Sequence, residues 1–404
     1  MIKRKLSYFI LIFLSFISAI LILELLFKVE YYYKINKNSD LPNFMISPRI
    51  YNSNYGWELK KNFNYSYITS DNEIIKKKTN NLGLASEYDL QISKDSFKIL
   101  VIGDSFTESL GVDTEKAWPN QLQKILIENS YSNVEVYNGA IAGYNLDQYY
   151  FRIEDLYKKI NPNIILIGFA TATDFYDVGK FYKYFVYGSN IGRNYFEMKN
   201  GQLTINKKLN SIKNIDEIDK NISVEKNLNL LVVLKNLLEY SELYKKFKKS
   251  AIVVRIATKL RNDNFSLWPS TEMGITKKNK SIEKEKFLLI NEILNKISNE
   301  YGYQNNLFLV HIPYKIEVDN KFWAATFANQ PEYYDQNGPE KRIKNILKEK
   351  KIEFIPLVNK FKEKINKNQE YLYLKNDGHL NSLGNYYVSE TIFENIKDLL
   401  PVKN

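Results

Sequence analysis

The stretch Phe97–Glu108, FKILVIGDSFTE, joins an apolar run to a short polar turn. The part before Gly103 is almost wholly large and apolar, which is typical of a strand buried on both faces of a parallel sheet. Gly103, Asp104 and Ser105 follow at once, and residues of these types mark the end of a strand and the start of a helix. The pattern therefore predicts a strand, a tight turn and a helix in direct succession.

The same alternation continues along the chain. Strands that alternate with helices of about 10–15 residues are characteristic of βαβ units, in which a parallel sheet lies under helices. We therefore predict an α/β fold of three layers, with a parallel sheet flanked by helices. The further predicted strands are Val134–Tyr137, Asn163–Ile167, Leu307–Val310 and Ile352–Ile355, and the predicted helices are Glu115–Glu128, Leu146–Ile160, Lys284–Asn299, Arg342–Lys348, Val358–Lys364 and Tyr386–Leu399.

The N-terminus has the pattern of a membrane anchor. Three basic residues at positions 3–5 precede the apolar stretch Leu6–Phe27, which spans about 33 Å, enough for the ~30 Å hydrocarbon core of a bilayer. Basic residues ahead of such a segment hold the N-terminus in the cytoplasm. We expect a cytoplasmic tail at 1–5, a single transmembrane helix at 6–27 in the cell membrane, and an extracytoplasmic remainder. A cleaved signal peptide is the alternative, since Glu24 shortens the apolar run.

Two further parts of the chain depart from the α/β pattern. Residues 28–95 are polar and aromatic with short alternating runs, and predict a membrane-proximal stalk and a β arm. Residues 178–280 hold turns and then a helical pattern over Val224–Arg261, so we predict a mostly helical insertion. Its basic face could lie on anionic lipid, but we favour an ordinary core-facing helix with a solvated side. The α/β domain would then comprise residues 96–177 and 281–404.

Composition excludes several kinds of site. The 404 residues include no cysteine and two histidines, His311 and His379. Disulfides, thiolate metal sites and a cysteine nucleophile are therefore excluded, and we predict no metal and no cofactor. A net charge of +11 is compatible with nucleic acid, anionic lipid or an acidic glycan. Export argues against nucleic acid, and A/T-rich coding accounts for the abundant lysine.

Two loops carry side chains suited to nucleophilic catalysis. Ser105 follows a predicted strand, and active sites of open α/β sheets form at the carboxyl ends of strands. A serine there exposes its hydroxyl and places its own N–H at a helix N-terminus. His379, with Asp377 two residues before it, could act as the base for that serine. The alternatives are structural: Ser105 and Glu108 could form a capping box, and His379 could lie in an ordinary turn.

Three segments together resemble the blocks of the SGNH/GDSL hydrolase superfamily. Gly103-Asp104-Ser105-Phe106 resembles its first block, Asn138–Gly143 its second, and Asp377-Gly378-His379-Leu380-Asn381 its last. The resemblance implies an SGNH/flavodoxin-like sheet, Ser105 as nucleophile, His379 as base and Asp377 as its orienting carboxylate. It also implies that the N–H groups of Ser105 and Gly143 stabilise the oxyanion.

This sequence departs from the superfamily pattern at two positions. Thr173 stands where the superfamily has an asparagine that donates to the oxyanion, so we expect its hydroxyl to take that role. Asn376 occupies the position three residues before His379, where the superfamily commonly has its aspartate. His311 ends a predicted strand and could line the cleft, or be structural.

The resemblance, together with the predicted anchor, implies a membrane-anchored envelope esterase or O-acyltransferase. Its substrates would be O-acyl esters, acetyl esters in particular, of cell-envelope glycans or small molecules, with a membrane-bound acyltransferase as a partner. A non-catalytic glycan-binding module of the same fold, or a partner subunit of a membrane-embedded acyltransferase, is the alternative that Thr173 favours.

Overall fold

The structure of the chain is a computed structural model. It describes residues 46–179 (except 70, 72, 88 and 90–95), 184–206 (except 187–188 and 192–193), 274–277, 281–401 (except 303–305, 328–331 and 376) and scattered positions between 15 and 41. The chain divides into two compact units, Met1–Phe44 with Ser223–Phe265 and Met45–Ile222 with Ser266–Asn404. The described positions of the first unit between 15 and 33 are helical, and the second unit contains the sheet.

The predicted anchor at 6–27 lies partly outside the described residues. In the described part of the chain, no helix is both long and apolar enough to cross a bilayer. The transmembrane segment therefore stays a prediction from the sequence.

Strands and helices alternate along most of the second unit. In chain order the strands are β1 (Arg49–Asn52), β2 (Gly56–Leu59), β3 (Asn64–Ile68), β4 (Ile74–Lys78), β5 (Phe97–Ile102), β6 (Val134–Asn138), β7 (Ile164–Ala170), β8 (Tyr184–Val186), β9 (Ser189–Ile191), β10 (Tyr195–Lys199), β11 (Gln202–Asn206), β12 (Asn306–Ile312) and β13 (Glu353–Pro356). The α-helices are α1 (Ser105–Glu108), α2 (Trp118–Glu128), α3 (Leu146–Ile160), α4 (Asp174–Asp177), α5 (Ser281–Tyr301), α6 (Lys315–Val318), α7 (Asn320–Phe327), α8 (Gly338–Leu347), α9 (Val358–Asn366) and α10 (Ser382–Ile396).

The central sheet has five strands in the spatial order β13-β12-β7-β5-β6, and every neighbouring pair is parallel. Numbered along the chain, this is the order 2-1-3-4-5 of flavodoxin-like sheets, in which sites form where the winding reverses, between the first and third strands. The predicted α/β fold with a parallel sheet is confirmed. The reversal lies between β5 and β7, so the chain segments after these strands meet at one edge.

Alternating residues of the sheet build two cores. In β5, Leu100 and Ile102 face one side together with buried residues of α3 and α5. Ile99 and Val101 face the other side together with buried residues of α2 and α10. Because a sheet buried on both faces has no solvated side, β5 is apolar at almost every position. The three-layer architecture follows from this double burial.

Local signals decide where the helices begin. Helix α3 has the predicted bounds, because Asn145 and Gln148 form a capping box at its start and Asn161 ends it in the left-handed conformation. The predicted helix Glu115–Glu128 is instead a short 3₁₀ turn followed by α2. Pro119 lacks the N–H needed inside a helix and is tolerated in a first turn, so α2 begins at Trp118.

The predicted β arm contains two antiparallel hairpins, β1–β2 and β3–β4. It is packed into the unit, since Tyr55, Trp57 and Leu59 belong to the core on the α3 side of the sheet. In the predicted insertion, the described residues form the antiparallel pairs β8–β9 and β10–β11. The helical tract predicted over Val224–Arg261 lies outside the described residues.

Candidate active site

Ser105 lies where β5 ends, as the first residue of α1. The preceding residue, Asp104, caps this short helix, because its Oδ1 accepts a hydrogen bond of 2.9 Å from the Phe106 N–H. The alternative of a capping box formed by Ser105 and Glu108 is wrong, since Glu108 turns away and its carboxylate binds Ala142. The Ser105 N–H is therefore the first N–H of a helix, where no intrahelical acceptor exists.

The structure brings Ser105, His379 and Asp377 into one hydrogen-bonded chain. The Ser105 Oγ lies 2.7 Å from the His379 Nε2. On the other side of the ring, the His379 Nδ1 lies 2.5 Å from the Asp377 Oδ1. The same carboxylate oxygen also accepts from the His379 backbone N–H at 2.9 Å. A nucleophile, a base and an orienting carboxylate are thus in hydrogen-bond contact in that order.

The loop that carries His379 is held from several sides. The His379 ring packs against Phe106, with ring centroids 4.7 Å apart. The backbone carbonyl of His379 accepts a hydrogen bond of 2.9 Å from the Leu374 N–H. Gly378 lies so close to the Tyr314 ring that a Cβ there would collide with it. Asn376 lies outside the described residues. The two-residue spacing from Asp377 to His379 is sufficient for contact, because the backbone between them forms a tight turn.

The turn after β6 presents one N–H to the surface. In Gly139–Tyr144, the other N–H groups are bonded: that of Gly139 to Val101 O, Ala140 to Asn138 Oδ1, Ile141 to Gly103 O, Ala142 to Glu108 Oε2 and Tyr144 to Ile141 O. Among the described residues, nothing accepts from the exposed Gly143 N–H. Gly143 has φ of 83°, a conformation that strongly favours glycine. The N–H of Gly143, the residue that the sequence predicts as an oxyanion donor, therefore has no acceptor among the described residues.

Thr173 lies close to the nucleophile turn, but its hydroxyl is engaged. Its Oγ1–H donates to the Asp104 Oδ2 at 2.7 Å. A hydroxyl carries a single hydrogen, so Thr173 would have to leave Asp104 in order to donate to an oxyanion. Its expected role as a third oxyanion donor stays a prediction, and its observed role is to bind the aspartate that caps α1.

Two buried carboxyls beneath the nucleophile turn were not singled out from sequence. Burial raises the pKa of Asp104 to about 6, while hydrogen bonds from Thr173 and the Phe106 N–H act in the opposite direction. Burial and the charge of Asp104 raise the pKa of Asp174, which accepts from the Ala170 N–H and from the Tyr149 hydroxyl. The sequence signal that could have identified Asp104 was its position directly before the candidate nucleophile. No local pattern distinguishes Asp174 from other helix-start aspartates.

His311 lies at the end of β12 and is wholly buried. Its Nε2 is 3.0 Å from the Glu317 Oε2, and Glu317 in turn accepts from the Thr171 hydroxyl and the Tyr314 N–H. This contact set matches the structural alternative for His311. In the described part of the chain, no three His, Asp or Glu side chains are grouped so as to hold a metal ion.

The arrangement is suited to acyl transfer. A serine hydroxyl in contact with an imidazole can lose its proton as it attacks a carbonyl, and unpaired N–H groups can stabilise the resulting oxyanion by donating hydrogen bonds to it. The Ser105 N–H and the Gly143 N–H both lack acceptors among the described residues. The described residues thus include a serine hydroxyl in contact with an imidazole, and N–H groups without acceptors.

Comparison with known proteins gives partial matches. No protein-family model matches the chain. An arylesterase of Vibrio mimicus is 35% identical to it over 75 residues, which are 19% of this chain and 37% of that protein. The chain therefore matches little more than a third of the length of this curated relative.

Among solved structures, the acetyl xylan esterase AlAXEase is similar with a TM-score of 0.38 and 12% identity, covering 74% of this chain and 100% of that one. The lipase/acylhydrolase from Enterococcus faecalis has a TM-score of 0.39 and 11% identity, covering 76% and 99%. By name, the arylesterase is an enzyme that hydrolyses esters.

Proposed function

We propose that the chain is a membrane-anchored, extracytoplasmic serine esterase or O-acyltransferase that acts on O-acyl esters of cell-envelope glycans, acetyl esters in particular. The observation that carries this proposal is the hydrogen-bonded chain Ser105–His379–Asp377. The N–H groups of Ser105 and Gly143, which have no acceptor among the described residues, add to it. The partial identity with an arylesterase supports the ester class. The basic residues before the apolar stretch 6–27 support the anchor.

The reaction follows from the contacts. Ser105 Oγ attacks the ester carbonyl as its proton passes to His379 Nε2, and the carbonyl oxygen becomes an oxyanion bound by the N–H groups of Ser105 and Gly143. His379 then returns that proton to the departing alcohol oxygen, which leaves an acyl-serine. Asp377 stabilises the positively charged ring between these two transfers. Water resolves the acyl-serine in an esterase, and a sugar hydroxyl resolves it in a transferase.

A fluorophosphonate probe tests whether Ser105 is activated. We expect the native protein to be labelled and Ser105→Ala and His379→Ala to be unlabelled, while Ser382→Ala, which alters an exposed serine, labels normally. On a short acyl ester, the double variant should be barely slower than either single variant, because residues of one mechanism act non-additively. A native protein that is folded but neither labelled nor active would instead favour the glycan-binding or partner-subunit alternative.

The anchored topology has its own test. Protease added to intact spheroplasts should digest the part of the chain after residue 27, because that part is proposed to lie outside the cytoplasm. Digestion that occurs only after lysis would contradict the proposed localisation without bearing on the chemistry at Ser105.

A further inference from the structure

The turn Gly139–Tyr144 reaches the site as a loop, and its one free N–H belongs to a residue with no side chain. Gly143 is exposed, so its own packing cannot fix the direction of that N–H. A donor stabilises an oxyanion only when it is held in place before the reaction, and an error of 1 Å can cost about 10²-fold in rate. Neighbouring groups must therefore hold the two peptide planes on either side of Ala142.

The first of these planes is held by Glu108, the last residue of α1. Its Oε2 accepts from the Ala142 N–H at 2.5 Å, and its Oε1 accepts from the Tyr65 hydroxyl of β3 at 3.3 Å. The side chain is buried, with 1% of the residue exposed. A hydrogen bond to a buried carboxylate is about twice as strong as one between neutral groups. This contact therefore fixes the orientation of the peptide group that joins Ile141 to Ala142.

A buried lysine of the β arm offsets the charge of that carboxylate. The Lys77 Nζ donates to the carbonyls of Glu108 and Ser109 at 3.1 and 2.8 Å, at the end of α1. Burial lowers the pKa of Lys77 to about 8, and the charges of Glu108 and Asp113 act against burial. The ammonium group thus stabilises both the end of α1 and the carboxylate that it carries.

The second plane is held by Trp57, in β2 of the arm. Its indole Nε1–H donates to the Ala142 carbonyl at 3.3 Å, and Trp57 is wholly buried. In a trans peptide, the carbonyl and the N–H of the next residue point in opposite directions. A donor on the Ala142 carbonyl therefore sets the direction of the Gly143 N–H.

We infer that Glu108 and Trp57 are positioning residues for the oxyanion donor: they hold the peptide groups on both sides of Ala142 and so fix the direction of the Gly143 N–H. This inference rests on the proposed function, because it assigns a role to Gly143 in that reaction. It extends the site to the β arm, since Trp57, Tyr65 and Lys77 all come from the hairpins before β5. The arm is thus part of the machinery that supports the site.

The decisive comparison uses two double variants, each of which removes the charges of both Glu108 and Lys77. Glu108→Leu with Lys77→Met leaves the Ala142 N–H without an acceptor, whereas Glu108→Gln with Lys77→Met keeps one. Because neither variant leaves a buried charge unpaired, both avoid the main cause of misfolding. We expect the Leu/Met variant to lose about 10- to 10²-fold in kcat with KM within about twofold, and the Gln/Met variant to stay within about threefold of the native kcat.

Trp57→Phe tests the other contact, since it keeps an aromatic ring but removes the donor. We expect kcat to fall by about threefold to 30-fold with little change in KM, because the oxyanion forms only in the transition state. Glu115→Ala, at an exposed carboxyl in the 3₁₀ turn before α2, is the matched control and should retain native kcat and KM. Equal kcat in the two double variants would overturn the role of Glu108.

Amide hydrogen exchange of the 139–144 peptide gives a readout that needs no turnover. We expect faster exchange in the Leu/Met variant than in the Gln/Met variant, whether or not the protein cleaves esters. Equal exchange rates would overturn the inference even in an active enzyme. An inactive and unlabelled native protein that still shows the difference would overturn the proposed function, and with it the catalytic purpose of the contact, while leaving the contact itself established.

Discussion

Asp104→Asn is expected to stabilise the protein at neutral pH. Asp104 is buried, and burial raises the pKa of its carboxyl from 3.8 to about 6. The ionised form is therefore the one that the fold disfavours. Below about pH 4 the carboxyl is protonated in both the folded and the unfolded chain and costs nothing. Between about pH 4 and pH 6 the unfolded chain ionises first, so stability falls as the pH rises, and above pH 6 the full cost is present.

The size of the effect follows from the shift. The difference between 3.8 and about 6 corresponds to about 3 kcal/mol in the free energy of unfolding. Asparagine keeps the cap, because its Oδ1 can still accept from the Phe106 N–H and its amide can donate to the Thr173 Oγ1. Loss of the Asp104 charge also removes one of the causes that raise the pKa of Asp174. We therefore expect a gain of up to about 3 kcal/mol at pH 7 and none near pH 4.

Urea denaturation of the full chain between about pH 4 and pH 7 measures this difference. Trp57 and Trp118 are wholly buried, so their fluorescence reports unfolding of the unit that contains Asp104. The exposed Asp398 provides the control, since Asp398→Asn should be as stable as the native protein at every pH. If Asp104→Asn were less stable than the native protein at pH 7, or if the difference did not depend on pH, burial would not be what shifts Asp104.

Two further substitutions separate the roles of the site residues. Asp377→Asn should lower kcat on a short acyl ester by about 10- to 10³-fold, because the charge that supports the imidazolium is lost, and an unchanged kcat would contradict the contact to His379. Thr173→Val should raise the pKa of Asp104 further and cost about 1.5–3 kcal/mol at pH 7, because a buried carboxylate loses a donor. Its kcat should change less than tenfold; a larger fall at native stability would show that Thr173 does donate to the oxyanion.

Sequence patterns that lie within a single segment were sufficient to predict the strands of the sheet and most of the helices. Five predicted strands are present within three residues of their predicted ends, because each is an apolar run bounded by polar turn residues. Leu146–Ile160 has the predicted bounds, since its capping box lies within the segment. The start of α2 was missed, because the amphipathic pattern continues across Pro119 while the helical hydrogen bonds do not.

Contacts between distant segments account for what the sequence could not predict. The pairing of Ser105 with His379 was inferred from a resemblance of short blocks, since 274 positions separate them. Thr173 was aligned by its place after β7, and its bond to Asp104 depends on how the turns after β5 and β7 meet. The bond from Trp57 to Ala142 joins a hairpin to a loop 85 positions away. The hydrophobic periodicity of a hairpin does not show against which part of the sheet the hairpin will pack.

In the proposed reaction, an oxyanion would form beside α1, where several carboxyl groups are buried. Asp104, Glu108 and Asp174 are all buried next to the nucleophile helix, and uncompensated negative charge would oppose a developing oxyanion. The fold offsets each of them differently. The charge of Lys77 interacts with that of Glu108, whereas burial raises the pKa of Asp104 and of Asp174 and so favours their neutral forms more than in exposed aspartates. In the proposed reaction, the fold would therefore contribute through the environment of these carboxyls as well as through the supply of N–H donors.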